Sequence, residues 1–140
     1  MANDLLGFRR MQLDELRKNE MMAYLIDSLE AGKDIGHYGR LVFAMVARSF
    51  LSPDEVISLL QKGADCDEAK ARALVNQVEQ RGYNPPKRER ILEWMQKQQF
   101  PICPNTDDPG ACNVYRDLQF PREIYENINE FYRGQTVASN

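Results

Sequence analysis

The sequence predicts an all-α protein, a compact bundle of six to seven helices. Apolar residues recur at helical spacing along most of the chain, and no run shows convincing period-two alternation. The breaks between these patterns fall at glycine, proline and Ser/Asp capping signals, where helices stop and start. With 140 residues, 43% of them hydrophobic and 9% aromatic, the chain has enough apolar surface for one core without a metal or disulfide. A single helical domain is expected over residues 1–134, with a disordered tail at 135–140.

The first helix is expected from Asp4 or Phe8 to Ala31, with Leu13, Leu16, Met21, Leu25 and Leu29 near one face. Gly32 is its stop, and a loop through Gly36 follows. The second helix, from about Tyr38 to Phe50, is apolar almost all round between Arg40 and Arg48, the pattern of a buried central helix. Ser52-Pro53-Asp54-Glu55 reads as a capping box with proline at the first helical position, launching a short helix to Gly63. Asp65 and Glu68 make a weaker box for a helix through Ala69, Val75 and Val78 to Arg81. Gly82 ends that helix, and Asn84-Pro85 is expected to cap the next, whose apolar face holds Ile91, Trp94 and Met95. Three prolines and Asp107-Asp108 make residues 100–110 a loop. Asp108-Pro109 is expected to open a short helix through Val114 and Leu118, and Phe120-Pro121 the last one, through Ile124, Ile128 and Phe131.

Charge and composition narrow the function. Eighteen basic against twenty-one acidic residues give a net charge of −3, so any nucleic-acid contact must come from local clusters. The longest apolar run, Leu41 to Ala47, is seven residues against the roughly 18 a spanning helix requires, so no membrane partner is expected. The N-terminal residues carry no basic-then-apolar signal, and three cysteines cannot all pair within one chain, which together fit a reducing cytoplasm. Cys66, Cys103, Cys112 and the single histidine, His37, add up to a zinc set, but their spacing lacks the close ligand pairs of structural zinc. Free thiols are expected instead, with a Cys103–Cys112 disulfide geometrically conceivable but not expected in a cytoplasm, and neither metal nor cofactor. One histidine and no nucleophile, phosphate-loop or metalloprotease motif argue against catalysis, so no catalytic residue is assigned.

The strongest local signal is Arg81-Gly82-Tyr83-Asn84-Pro85-Pro86-Lys87-Arg88-Glu89-Arg90. If Asn84 caps a helix, Lys87, Arg88 and Arg90 lie in its first turn or two. Cations there oppose the helix dipole at a cost of about 0.3–1 kcal/mol each. Placing bases where acids are preferred suggests a held anion, phosphate above all. A solvated basic turn partly neutralised by Glu79, Glu89 and Glu93 is the ordinary alternative. Within the nucleic-acid reading, Lys87, Arg88 and Arg90 contact phosphate, Arg81 assists and Tyr83 stacks on a base, while Trp94 reads as core. Arg40 and Arg48, two turns apart on one helix face, are further candidates. Arg9, Arg10, Arg17 and Lys18 read as helix-surface ion pairs, and Arg116, Arg122 and Arg133 as scattered solvated charges. Tyr115, Tyr125 and Tyr132 suit a protein interface as well.

The stretch from Cys103-Pro104-Asn105-Thr106-Asp107-Asp108-Pro109-Gly110-Ala111-Cys112 to Asn113-Val114-Tyr115-Arg116-Asp117-Leu118-Gln119-Phe120-Pro121, with the helical segment before it, resembles the C-terminal helical region of the large subunit of type I-D CRISPR effector complexes. That region is also made as a separate small subunit. The resemblance implies a non-enzymatic Cascade small subunit of antiviral defence, present in several copies. Its partners would be the effector-complex subunits, neighbouring copies of itself, the target and displaced DNA strands and the guide RNA. No binding residue is carried over, because no motif is matched residue by residue. A second resemblance, through Tyr83-x-Pro85-Pro86, Cys103-Pro104 and Cys112, is to helical accessory domains of primase–helicase replication proteins. Those carry more cysteines near the paired prolines, where this chain has Lys87 and Arg88. A pure protein-interaction module using Tyr125, Tyr132 and the terminal helix is the remaining class.

Overall fold

In the computed structural model the described residues are 11–128, and they fold as the all-α bundle that the periodicity implies, with no strand among them. The helices are α1 Glu20–Glu30, α2 Gly36–Ala47, α3 Pro53–Lys62, α4 Glu68–Arg81, α5 Arg88–Met95 and α6 Val114–Asp117. Residues 11–16 and 122–128 are also helical. The expected start at Asp4 or Phe8, together with Arg9, Arg10, Phe131, Tyr132, Arg133 and the tail at 135–140, lies outside the described residues.

α2 is the hub. Val42, Phe43, Val46 and Ala47 are fully buried, and the helix packs against α1, α3, α4 and α5. Burying a side chain such as Phe43 contributes about 1.5–3 kcal/mol, so an all-round apolar helix belongs where every side is covered. Its own start is uncapped locally, because Ile35 makes no side-chain cap. Gln98 substitutes from sixty positions away: its Oε1 accepts from Tyr38 N at 2.9 Å while its Nε2 donates to Ile35 O and Phe100 O.

The long first helix does not run through. It breaks at Asn19, whose backbone is extended (ψ 128°) and whose side chain caps α1 by accepting from Met22 N at 3.1 Å. The same amide donates to Asp117 Oδ2 at 3.1 Å and to Asn113 O at 3.4 Å, and Asn19 is fully buried. That tertiary anchoring outweighs the continuous apolar stripe. The Ser52 capping box forms as expected, with reciprocal bonds between Ser52 and Glu55 and Pro53 in the first turn. The next cap is Asp67 rather than Asp65: Asp67 accepts from Lys70 N at 2.8 Å, while Asp65 sits in the left-handed region at φ 60°. Gly82 ends α4 in the left-handed conformation, as its position predicts (φ 61°).

The loop expected over residues 100–110 forms and runs on to 113, but two expectations on it fail. Asp108-Pro109 opens a turn, with Gly110 N donating to Asp108 Oδ1 at 2.9 Å, and the helix waits until Val114. Cys103 and Cys112 are not free thiols. They are disulfide-bonded, with Cα atoms 5.6 Å apart, and both are buried. Cys66 alone remains a buried free thiol. The pairing withdraws the argument that cysteine usage made for a reducing compartment. No helix among the described residues is long and apolar enough to cross a membrane.

Candidate nucleic-acid interface

The chain turns at Gly82 and then runs extended. A residue that precedes proline is pushed out of the helical region, and Asn84 and Pro85 each precede one. Both prolines are buried. Tyr115 Oη donates to Pro85 O, which pins the extended segment from α6. Burial, with the neighbouring Tyr125 adding to it, pushes the Tyr115 hydroxyl up to about 12, so it stays protonated and serves as a donor. The consequence corrects the expected helix start. α5 begins at Arg88, with Lys87 in the extended cap position (φ −79°, ψ 161°) and no side-chain cap. Asn84 caps nothing, and its Oδ1 is buried without a hydrogen-bond partner.

The cations of this ridge then point to different tasks. Arg81 is exposed in the last turn of α4, where a cation complements the helix dipole. Lys87 is exposed at the crest. Arg88 is half-buried; it donates to Thr106 O at 3.1 Å, and its Nε is buried without a partner. Arg90 remains 61% exposed, in a loose ion pair 3.8 Å from Glu93 and 5.9 Å from the Trp94 ring centre. Exposed pairs of this kind contribute about 0–1 kcal/mol and yield readily to another anion. Tyr83 is half-buried beside them.

Arg40 and Arg48 are elsewhere in purpose. Arg40 is only 4% exposed and bonded to Asp34 at 3.2 Å, in the same carboxylate that accepts from Gly36 N. It holds the α1–α2 loop against the core and presents no surface to a polyanion. Arg48 follows α2 and pairs with Glu79 of α4 at 3.3 Å. Neither lines the clefts beside the ridge. The shared helix face suggested by their spacing is thus spent on packing. Arg17 is paired with Asp27 and Glu30, and Arg122 with Glu126, as surface ion pairs.

Two clefts flank the ridge. The larger, about 620 Å³, has an apolar floor of Leu41, Met45 and Ile128, aromatic walls from Tyr83, Trp94 and Tyr115, and a rim of Lys87 and Arg90 with Glu89 and Glu93. The smaller, about 540 Å³, lies between Lys87, Arg88 and Glu89 on one side and Pro109, Tyr115 and Tyr125 on the other. Trp94 is not wholly core: it is half-buried, stacks on Tyr38 at 5.7 Å, and lines the larger cleft. Tyr115 was legible only as an interface tyrosine, since nothing local announces a hydrogen bond thirty residues back along the chain.

No group of three or more His, Cys, Asp or Glu side chains among the described residues could hold a metal ion. Two of the four residues that made up the zinc set are bonded to each other. Fold and ridge together define an all-helical bundle presenting a basic, proline-stiffened edge between two partly aromatic clefts. Compared with known proteins, the chain matches no family model, no curated protein and no solved structure.

Proposed function

We propose that this chain is a non-enzymatic helical subunit that holds nucleic acid within a larger assembly, using the double-proline ridge as its phosphate contact. The observation that carries the reading is the exposure of Arg81, Lys87 and Arg90 around one stiff extended turn. Pre-ordered backbone lowers the entropic cost of presenting these side chains together. Arg88 supports the ridge by tying it to the 100–113 loop, and Arg40 and Arg48 drop out of the contact set. The assembly that the C-terminal resemblance points to is a type I-D CRISPR effector complex, in which several stacked copies would add individually weak contacts. A replication accessory domain remains the competing nucleic-acid context.

The test is binding to single- and double-stranded oligonucleotides at two salt concentrations, for the parent chain and a Lys87→Glu/Arg90→Glu variant. Losing two phosphate contacts is expected to reduce the salt slope by about two and to weaken all sequences alike. Salt-dependent binding that the variant leaves untouched sinks the assignment.

A protein-interaction module is a second reading, and one observation favours it: Glu89 and Glu93 alternate with the cations around an apolar cleft floor. That arrangement also suits a partner with mixed charge and an apolar anchor. It requires the double charge reversal to abolish association with a protein subunit and leave oligonucleotide binding unchanged.

A further inference from the structure

The larger cleft has features that a phosphate-binding ridge does not need. Tyr24 stacks on Phe100, Tyr38 on Trp94, and Tyr115 contacts Phe120 and Tyr125. Among the described residues Tyr83 is the tyrosine whose ring meets no other ring, and it lines this cleft. The volume, about 620 Å³, falls in the roughly 300–1,000 Å³ range of small-ligand sites. Arg90 and Lys87 stand at the rim.

We infer that this cleft receives one unpaired nucleobase, stacked on Tyr83, with its phosphate on Arg90 and Lys87. The inference rests on the nucleic-acid reading of the ridge and makes it specific: the ligand is unpaired, because a base inside a duplex cannot enter a cleft. Glu89, also at the rim, disfavours a second phosphate and favours a donor edge. Glu93 is already loosely paired with Arg90 and moves aside as phosphate takes its place. Stacking tolerates any base and supplies the affinity.

Trp94 is the single tryptophan of the chain and lines the cleft, so its emission reports occupancy directly. The full chain is titrated with short oligo(dA), oligo(dC) and oligo(dT) and with AMP, reading Trp94 fluorescence, and in parallel with end-labelled oligonucleotides, reading anisotropy. All three oligonucleotides are expected to change the emission, because stacking on Tyr83 tolerates every base. Tyr83→Ser is expected to weaken oligo(dA) about 5- to 100-fold, the loss of one stacked base, while Tyr83→Phe retains binding and shows that the ring matters. AMP binding as tightly as oligo(dA) supports the cleft with a free nucleotide as its source; much weaker AMP binding supports a strand held also along the ridge. Oligonucleotides that bind by anisotropy while leaving Trp94 unchanged, or that bind Tyr83→Ser as well as Tyr83→Phe, overturn the inference and leave the cleft to a protein partner. In each of those outcomes the ridge reading survives, whereas no binding by either readout at low salt removes both.

Discussion

Asn19, Gln98 and Tyr115 show how much one polar side chain does when its partners come from distant sequence. Each is buried or half-buried, and each satisfies backbone groups that its neighbours leave open. An unsatisfied buried donor or acceptor costs about 1–3 kcal/mol, so these residues fix where helices begin and where a loop lies. Tyr115 also makes a testable pH statement. Its folded pKa of about 12 lies above the ordinary value near 10, so the folded state favours the protonated phenol. Its contribution is fully present below about pH 10 and is lost as pH rises toward about 12. Ultraviolet phenolate absorbance is expected to show tyrosines titrating late, Tyr24 raised by burial among them, and to lose the one at about 12 in Tyr115→Phe. The alkaline fall in stability in this window becomes shallower in that variant.

Helix boundaries follow local rules where the capping partners are close. The Ser52 box and the Gly82 stop stand where the sequence puts them. Asp67 displaces Asp65, and Lys87 displaces Asn84, because turn backbone and paired prolines override a favourable cap residue. Glycines report the same distinction. Gly63, which ends α3, has ordinary φ, yet a Cβ there would lie 2.9 Å from Lys33 O and 2.7 Å from Leu29 Cδ2. Backbone does not yield cheaply, so Gly63→Ala is expected to destabilise by about 1–3 kcal/mol. At Gly82 a Cβ meets nothing within 4 Å, and only the left-handed φ is at stake. Gly82→Ala is therefore expected to cost about 1 kcal/mol. Urea unfolding of the two variants side by side checks the order, and a reversed order contradicts the packing argument.

Across the whole molecule, the disulfide loop is the brace that connects the core to the candidate site. Ala111 O accepts from Met21 N at the start of α1, Thr106 O accepts from Arg88 on the ridge, and Cys103–Cys112 closes the loop between them. Closing a loop of this length contributes about 2–3 kcal/mol by chain entropy. Thermal or denaturant unfolding with a dithiol reductant is expected to show that loss, and a Cys103→Ser/Cys112→Ser variant is expected to be insensitive to the reductant. Equal stability with and without reductant in the parent chain contradicts the pairing. The helical class was legible because periodicity and caps are properties of short windows. The basic turn was legible for the same reason, but its geometry was not. Whether Arg48 faces water or Glu79, or Trp94 faces core or cleft, depends on elements far away in the chain.

The sequence by itself determined that the chain is helical, that α2 is its buried centre, that Gly82 stops a helix and that cations crowd the turn after it. These follow from side-chain spacing and backbone preference, which act over a few residues. Only the tertiary structure decided which of those cations remain outside, that Cys103 meets Cys112, that Asn19 interrupts a continuous apolar stripe, and that Tyr83, Trp94 and Tyr115 share one cleft. Those outcomes depend on long-range pairing of polar groups and on which surfaces the packed helices leave open, and neither is encoded in any single window of residues.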